Sequence, residues 1–160
     1  MILATISCEQ SEYSVKYEII NEDKKKVVTN FFTLVVDKDA TTNILFNGGS
    51  HNDFSGIITS NKLDIYFRRS NWSQCGGDTL IYIKNEQVEN KNLWIAIAKS
   101  NKSYPFSLSL RIDKLNNYEN NGMLISESFC FWSIISNKEE ENYFMDCIKS
   151  VDVNISKASP

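Results

Sequence analysis

The segment RRSNWSQCGGDTLIYIK, residues 68–84, concentrates side chains that could recognise a ligand. Arg69 and Trp72, together with Tyr66 just before the segment, belong to the residue types that dominate protein-binding surfaces. The two aromatic rings could also stack on a sugar or a nucleobase. The glycine pair that follows, with Asp78, is typical of a tight turn. We interpret the segment first as a hairpin loop and second as an interaction surface.

A second group of residues could support nucleophilic catalysis. His51 is the single histidine and could act as a base towards Cys75. Asp53 or Asp78 would then orient the imidazole. However, His51 lies in the turn-like sequence GGSHND, where an exposed histidine is the plainer interpretation. No two carboxylates are singled out for glycoside hydrolysis. We therefore expect no catalytic residues.

Metal and cofactor sites lack sequence support. Zinc sites need clustered Cys and His, whereas this chain has one His and four Cys without a CxxC pair. The run DKDATTN (37–43) begins like a calcium loop but has no glycine at the sixth position. Neither a G-x-G-x-x-G nor a Walker phosphate-binding sequence occurs. We expect no metal and no cofactor.

Charge and apolar runs limit the partners. The chain carries 20 acidic and 17 basic residues, a formal net charge of −3. This balance does not suit phosphate binding, so we expect no nucleic acid and favour a cationic protein partner. No apolar run reaches the ~20 residues of a membrane span. The N-terminus MILATISCEQ lacks the basic start and long apolar core of a secretion signal. We expect a cytoplasmic protein with reduced cysteines, although four cysteines would also allow two disulfides.

Apolar residues that alternate with polar ones indicate β-strands. In FSLSLRID (106–113) every second residue from Phe106 to Ile112 is apolar, and YSVKYEII (13–20) and KLDIYFRR (62–69) repeat the pattern. FFTLVV (31–36) and LWIAIA (93–98) are apolar on both faces and predict central strands. Further strands are expected at 2–8, 79–84 and 123–135. The last needs a bulge or kink near residues 126–128 because of its length.

One segment predicts a helix, from about 137 to 150. In SNKEEENYFMDCIKSV, Phe144, Cys147, Ile148 and Val151 recur at helical spacing, and Ser136 with Glu139 matches a capping box. We expect a single β-rich domain over residues 1–160. Its fold class is mainly β, an antiparallel two-layer sandwich or curved sheet of eight to ten strands with this helix near the C-terminus.

These features together suggest a non-catalytic cytoplasmic binding protein. We expect an inhibitor or immunity-type protein that neutralises a toxin, for example a basic nuclease, by covering its active surface. The alternatives are a β-sandwich that stacks a carbohydrate or nucleobase on Trp72 and Tyr66, and an enzyme that uses His51 or a carboxylate pair. The expected partner-binding residues are the acidic start of the helix and an aromatic and basic patch: Glu139, Glu140, Glu141, Asp146, Trp72, Arg69 and Tyr66.

Overall fold

The structure of the chain, a computed structural model, describes residues 15–47, 54–70, 75, 77, 79–88, 91–114, 118–120, 123–125 and 128–153. Its first six strands are β1 (Lys16–Ile19), β2 (Lys24–Val28), β3 (Phe32–Asp37), β4 (Thr41–Asn47), β5 (Phe54–Thr59) and β6 (Asp64–Ser70). They are followed by β7 (Thr79–Val88), β8 (Lys91–Lys99), β9 (Phe106–Lys114), β10 (Tyr118–Asn120), β11 (Met123–Ile125), β12 (Ser128–Ile135), α1 (Lys138–Lys149) and β13 (Asp152–Val153).

The strands form two main antiparallel sheets. One has four strands in the order β1-β2-β3-β13, and the other has seven in the order β4-β5-β6-β12-β9-β8-β7. Strands β10 and β11 pair with each other. The predicted mainly β, antiparallel fold with one C-terminal helix is confirmed. The described residues contain thirteen strands, where eight to ten were expected. The difference arises because β2, β4, β5 and β10 fall in segments for which no strand was predicted, and because the strand predicted at 123–135 is divided into β11 and β12.

Strand β12 joins two groups of neighbouring strands into the seven-stranded sheet. It pairs with β6 on one side and with β9 on the other, so Phe131 lies opposite both Phe67 and Leu110. The strands β4, β5 and β6 form one meander and β7, β8 and β9 form the second. A strand from late in the chain therefore holds the centre of this sheet.

The core lies between the two sheets. Phe32 of the four-stranded sheet packs edge-on against Phe67 and Phe131 of the seven-stranded sheet, each at 5.0 Å between ring centroids. Helix α1 adds Phe144 and Ile148 to the same apolar cluster. We call the side of the seven-stranded sheet that faces this core the inner face and the opposite side the outer face. The burial of rings from both sheets confirms the predicted two-layer packing.

Alternation predicted the buried face well in central strands and poorly at an edge. The apolar residues of 106–112 are buried, as expected. In contrast, Tyr17 and Ile19, which occupy apolar positions of the alternation in 13–20 and should therefore point inward, are exposed by 43% and 64%. Strand β1 is the outermost strand of its sheet, and all four of its residues are exposed. The expected strand at 2–8 lies outside the described residues.

The helix forms within one residue of the predicted boundaries, but its cap is shifted by one position. Asn137, not Ser136, is the N-cap, and its side chain accepts a hydrogen bond from the Glu140 N–H at 3.0 Å. The Glu140 carboxylate in turn accepts from the Ser136 N–H at 2.7 Å. The cap therefore pairs Asn137 with Glu140, because Asn137 has the extended backbone that an N-cap requires.

A disulfide joins Cys75 to Cys130 of β12. The expectation of reduced cysteines is therefore wrong for this pair, whereas Cys147 is a buried free thiol. Sequence reasoning missed the pair because the two cysteines are 55 residues apart. Gly77 lies against the outer face of β8, where a Cβ atom would come within 2.9 Å of the Ala98 Cβ. Two residues of the connection from β6 to β7 thus contact the outer face of the sheet.

Candidate functional site

The inner face of the seven-stranded sheet is open at one end, beside the helix. A groove of about 490 Å³ lies there between β7, β8, β9 and the C-terminal half of α1. It is lined by Ile95, Ile97, Leu110, Ile112 and Met145. A largely apolar concavity of this volume is within the range of ligand-binding sites. The groove is therefore the candidate functional site.

Charged side chains border the groove. Lys84 and Glu86 of β7 point to the inner face, where the Lys84 ammonium donates a hydrogen bond to the Glu86 carboxylate at 2.8 Å. This hydrogen bond raises the pKa of Lys84. Lys149, in the last turn of α1, lies on the opposite border. An apolar floor with charged borders suits a segment that has apolar side chains and flanking charges.

The strand that forms one wall is unusually exposed. Leu80, Ile81, Tyr82 and Ile83 of β7 are consecutive apolar residues, each exposed by between 42% and 53%. Within the part of the chain that the structure describes, β7 is also the last strand of its sheet. Exposed apolar edge strands are rare in soluble proteins because their free main-chain groups pair readily with another strand. This wall can therefore offer hydrogen bonds as well as apolar contact.

Two of the three glutamates at the start of the helix have structural partners. Glu140 is part of the cap described above. Glu141 accepts a hydrogen bond from the Tyr104 hydroxyl at 2.5 Å and from Lys138 at 3.1 Å. The Tyr104 hydrogen bond, with the charge of Lys138, lowers the pKa of Glu141, and the same bond raises the pKa of Tyr104 to about 12. These two carboxylates stabilise the helix end.

The other two acidic residues of the expected patch are solvent-exposed. Glu139 borders a shallow cleft that also includes Asn61 and Lys62. Asp146 lies about two turns further along α1 and is exposed. The structure therefore keeps the acidic residues on one helix, but only Glu139 and Asp146 present their carboxylates to solvent without a role in the cap or in the Tyr104 contact.

The expected aromatic and basic patch is divided between the two faces of the sheet. Tyr66 lies on the outer face and stacks on Trp132, with ring centroids 5.6 Å apart. Arg69 is buried, and its guanidinium lies 4.3 Å from the centre of the Phe31 ring. The two residues are three positions apart in one strand, so they must point in opposite directions. Trp72 and the candidate base His51 lie outside the described residues.

A polar cluster at the base of the helix was not expected from the sequence. The Asp37 carboxylate contacts the ammonium groups of Lys24 at 2.6 Å and Lys62 at 2.9 Å. Both lysines also lie over the Tyr143 ring. Burial by itself would raise the pKa of Asp37, but the two lysines outweigh it and lower the pKa. Each residue comes from a different element, so no local pattern could reveal the cluster.

Sequence reasoning also missed the groove. The run TLIYI at the start of β7 was a possible signal, because it is apolar on both faces although it lies at a sheet edge. Met145 and Lys149 are four positions apart and therefore share one side of α1. That side could not be recognised as uncovered before the sheets were assembled.

Comparison with protein-family models, with curated proteins and with solved structures finds no match to this chain. Within the described ranges, the structure has no helix with the length and apolar character that a membrane crossing needs. The same residues contain no group of three His, Cys, Asp or Glu side chains that could hold a metal ion.

Proposed function

We propose that this protein is a non-catalytic binding protein that inhibits a protein partner by covering part of its surface. The observation that carries the proposal is the open apolar groove beside the exposed strand β7. Contiguous exposed apolar surface next to a free sheet edge is typical of sites that receive another polypeptide. The partner would insert apolar side chains of an extended segment into the groove beside Met145.

The charge of the protein supports a basic partner. The formal net charge is −3, and Glu139 and Asp146 are exposed on the helix that borders the groove. Opposite charge speeds association and favours the correct orientation of two proteins. We propose that the partner is a basic toxin and that the protein acts as its immunity-type inhibitor.

The groove can be tested with one variant and a control that adds the same charge elsewhere. Met145→Lys places a charge in the apolar groove, whereas Leu45→Lys adds the same charge at an exposed position of β4, at the opposite edge of the sheet from β7. We expect the wild type and Leu45→Lys to capture the same basic partner in equal amounts. Met145→Lys should weaken binding by at least about tenfold, because a lysine in an apolar site must lose its hydration.

Two results would contradict the proposal. Equal affinity of the wild type and Met145→Lys, with both proteins folded by thermal melting, would exclude the groove as the binding site. A captured partner whose enzymatic or toxic activity is unchanged by a molar excess of this protein would exclude the inhibitor function.

The alternative function, binding of a carbohydrate or nucleobase, depends on aromatic residues of the outer face. Tyr66 and Trp132 are stacked there and half-buried, so their exposed edges could contact a sugar or a nucleobase. A Trp132→Phe variant should then lose a ligand-induced change in tryptophan fluorescence. The inhibitor proposal instead predicts that simple sugars and nucleosides leave the fluorescence of the wild type unchanged.

The disulfide indicates the kind of compartment in which the protein would meet its partner. Disulfides persist in oxidising compartments, whereas cytosolic thiols are kept reduced. The Cys75–Cys130 bond therefore favours an oxidising location over the cytoplasmic one expected from the sequence. We propose that the toxin is neutralised in such a compartment.

A further inference from the structure

Among the described residues, no strand pairs with the edge of β7 that faces away from β8, and this edge contains one regular segment. The pairing of β7 with β8 shifts register between Leu80 and Tyr82 and is continuous from Tyr82 to Val88. A bulge of this kind interrupts the straight edge that another strand needs. The segment available for pairing is therefore Tyr82–Val88, and its central residue is Asn85.

This segment is complementary to itself in one antiparallel register. A twofold axis through Asn85, perpendicular to the sheet, would place Lys84 of each copy opposite Glu86 of the other. It would also place Tyr82 opposite Val88, a pairing of an aromatic with a β-branched residue. Tyr82, Lys84 and Glu86 all point to the inner face, and Val88 packs against the core. Opposite charges and aromatic–β-branched pairs are the favourable cross-strand combinations.

The neighbouring registers lack this complementarity. An axis through Lys84 would place the two lysines opposite each other and Glu86 opposite Tyr82. An axis through Glu86 would place the Glu86 residues of the two copies opposite each other and would place Lys84 opposite Val88. Like charges that face each other across two strands are destabilising. The segment Tyr82–Val88 therefore favours the register centred on Asn85.

From this complementarity, we propose that two copies of the chain associate through their β7 strands, antiparallel and centred on Asn85. The pairing would extend the two seven-stranded sheets into one continuous sheet and would remove both exposed edges. It would also bring the two grooves side by side, because Tyr82, Lys84 and Glu86 line them. The proposal does not depend on the inhibitor function.

The test uses charge reversal and the molar mass in solution. Sedimentation equilibrium of the wild type should show a monomer–dimer equilibrium with a Kd of roughly micromolar order, since a strand pair buries less surface than a standard interface. Lys84→Glu alone and Glu86→Lys alone should each weaken dimerisation by at least about tenfold, because each creates two like-charge contacts. Lys102→Glu, at an exposed position in the loop after β8, is the control and should leave the Kd unchanged.

The register makes a sharper prediction for mixtures. A copy with Lys84→Glu carries two glutamates at positions 84 and 86, and a copy with Glu86→Lys carries two lysines. An equimolar mixture of the two variants should therefore form a heterodimer, although neither variant dimerises well alone. The double variant Lys84→Glu, Glu86→Lys should recover the wild-type Kd.

Three outcomes would overturn the proposal. The first is a monomeric mass for the wild type over the whole concentration series. The second is a dimer that neither single reversal weakens, which would place the interface elsewhere. The third is a mixture of the two single variants that associates no better than each alone, which would exclude the register centred on Asn85.

Discussion

At the scale of single residues, Asp37 shows how burial and charge act on one group. Its carboxylate is nearly buried and is held by Lys24 and Lys62, whose ammonium groups are partly exposed. Burial of the carboxylate opposes ionisation, and the two lysines favour it. The lowered pKa shows that the lysines have the larger effect.

Asp37→Asn should destabilise the protein at neutral pH and much less in acid. Because the pKa of Asp37 in the folded state is below its usual value of 3.8, its contribution is present above that pH. It is lost as the pH falls through the lowered pKa. We expect a loss of roughly 1–2 kcal/mol at pH 7, because the lysines remain partly hydrated.

Urea unfolding of the wild type and Asp37→Asn at neutral and acidic pH measures this effect. The exposed neighbour Asp39→Asn is the control and should change little. A difference between wild type and Asp37→Asn that stays constant as the pH falls would show that the lysine contacts do not depend on the ionised carboxylate.

Residues 68 and 69 show what the sequence could and could not reveal at this scale. The alternation in KLDIYFRR (62–69) places Tyr66 and Arg68 on the face opposite Phe67, and the structure has Phe67 buried and Arg68 exposed. The same rule places Arg69 inside, where it stacks on Phe31. The expected patch joined Tyr66 with Arg69 because their chemistry was considered without their direction. The residue types correctly indicated that both side chains make contacts. The direction of each side chain in the strand determines the partner, which is Phe31 for Arg69 and Trp132 for Tyr66.

At the scale of elements, the start of α1 combines the functions of cap and charged surface. Asn137 caps the helix, and Glu140 completes the cap. The helix dipole favours the three glutamates of the first turn. The acidic run is therefore explained largely by the stability of the helix.

Asn137→Ala should reduce the free energy of unfolding by about 1 kcal/mol, the usual effect of removing an N-cap side chain. Ser136→Ala is the matched control and should have a small effect, since it retains the main-chain N–H that donates a hydrogen bond to the Glu140 carboxylate. Thermal or chemical unfolding monitored by circular dichroism compares the two. A larger effect of Ser136→Ala than of Asn137→Ala would contradict the assigned cap.

Elements differ in how well their sequence predicted them. Strand β9 was predicted with its correct inward face because both of its neighbours and the core cover it. Strand β1 has the same alternation but lies at an edge, where its apolar residues Tyr17 and Ile19 are exposed. Alternation shows which residues of a strand could share a buried face. Whether that face is buried depends on segments distant in the sequence that pack over it. The groove beside β7 was missed for the same reason.

At the scale of the whole molecule, the disulfide fastens the connection between β6 and β7 to the centre of the sheet. Cys75 belongs to that connection, and Cys130 lies in β12, the strand between the two meanders. The bond therefore links a crossover connection to the strand that holds the sheet together. It closes a long loop of the chain, which restricts the unfolded state strongly.

Replacement of Cys75 and Cys130 by serine should lower the free energy of unfolding by about 2–4 kcal/mol. Reduction of the wild type should have an effect of similar size, and the double serine variant should not respond to reductant. Denaturant unfolding with and without reductant measures both. If the midpoint of the wild type is the same in both conditions, the bond does not contribute to stability.

The position of β12 has a consequence for how the chain matures. Of the strands in the seven-stranded sheet, β4, β5 and β6 are synthesised first, and β7, β8 and β9 follow. The strands β6 and β9 therefore lack one neighbour each until residues 128–135, which form β12, have been synthesised. The seven-stranded sheet is therefore completed only after residues 128–135 have been made, as expected for a topology with non-local strand pairing. Until then, β6 and β9 each lack the neighbour that β12 provides, and unpaired strand edges of this kind are prone to aggregate during synthesis.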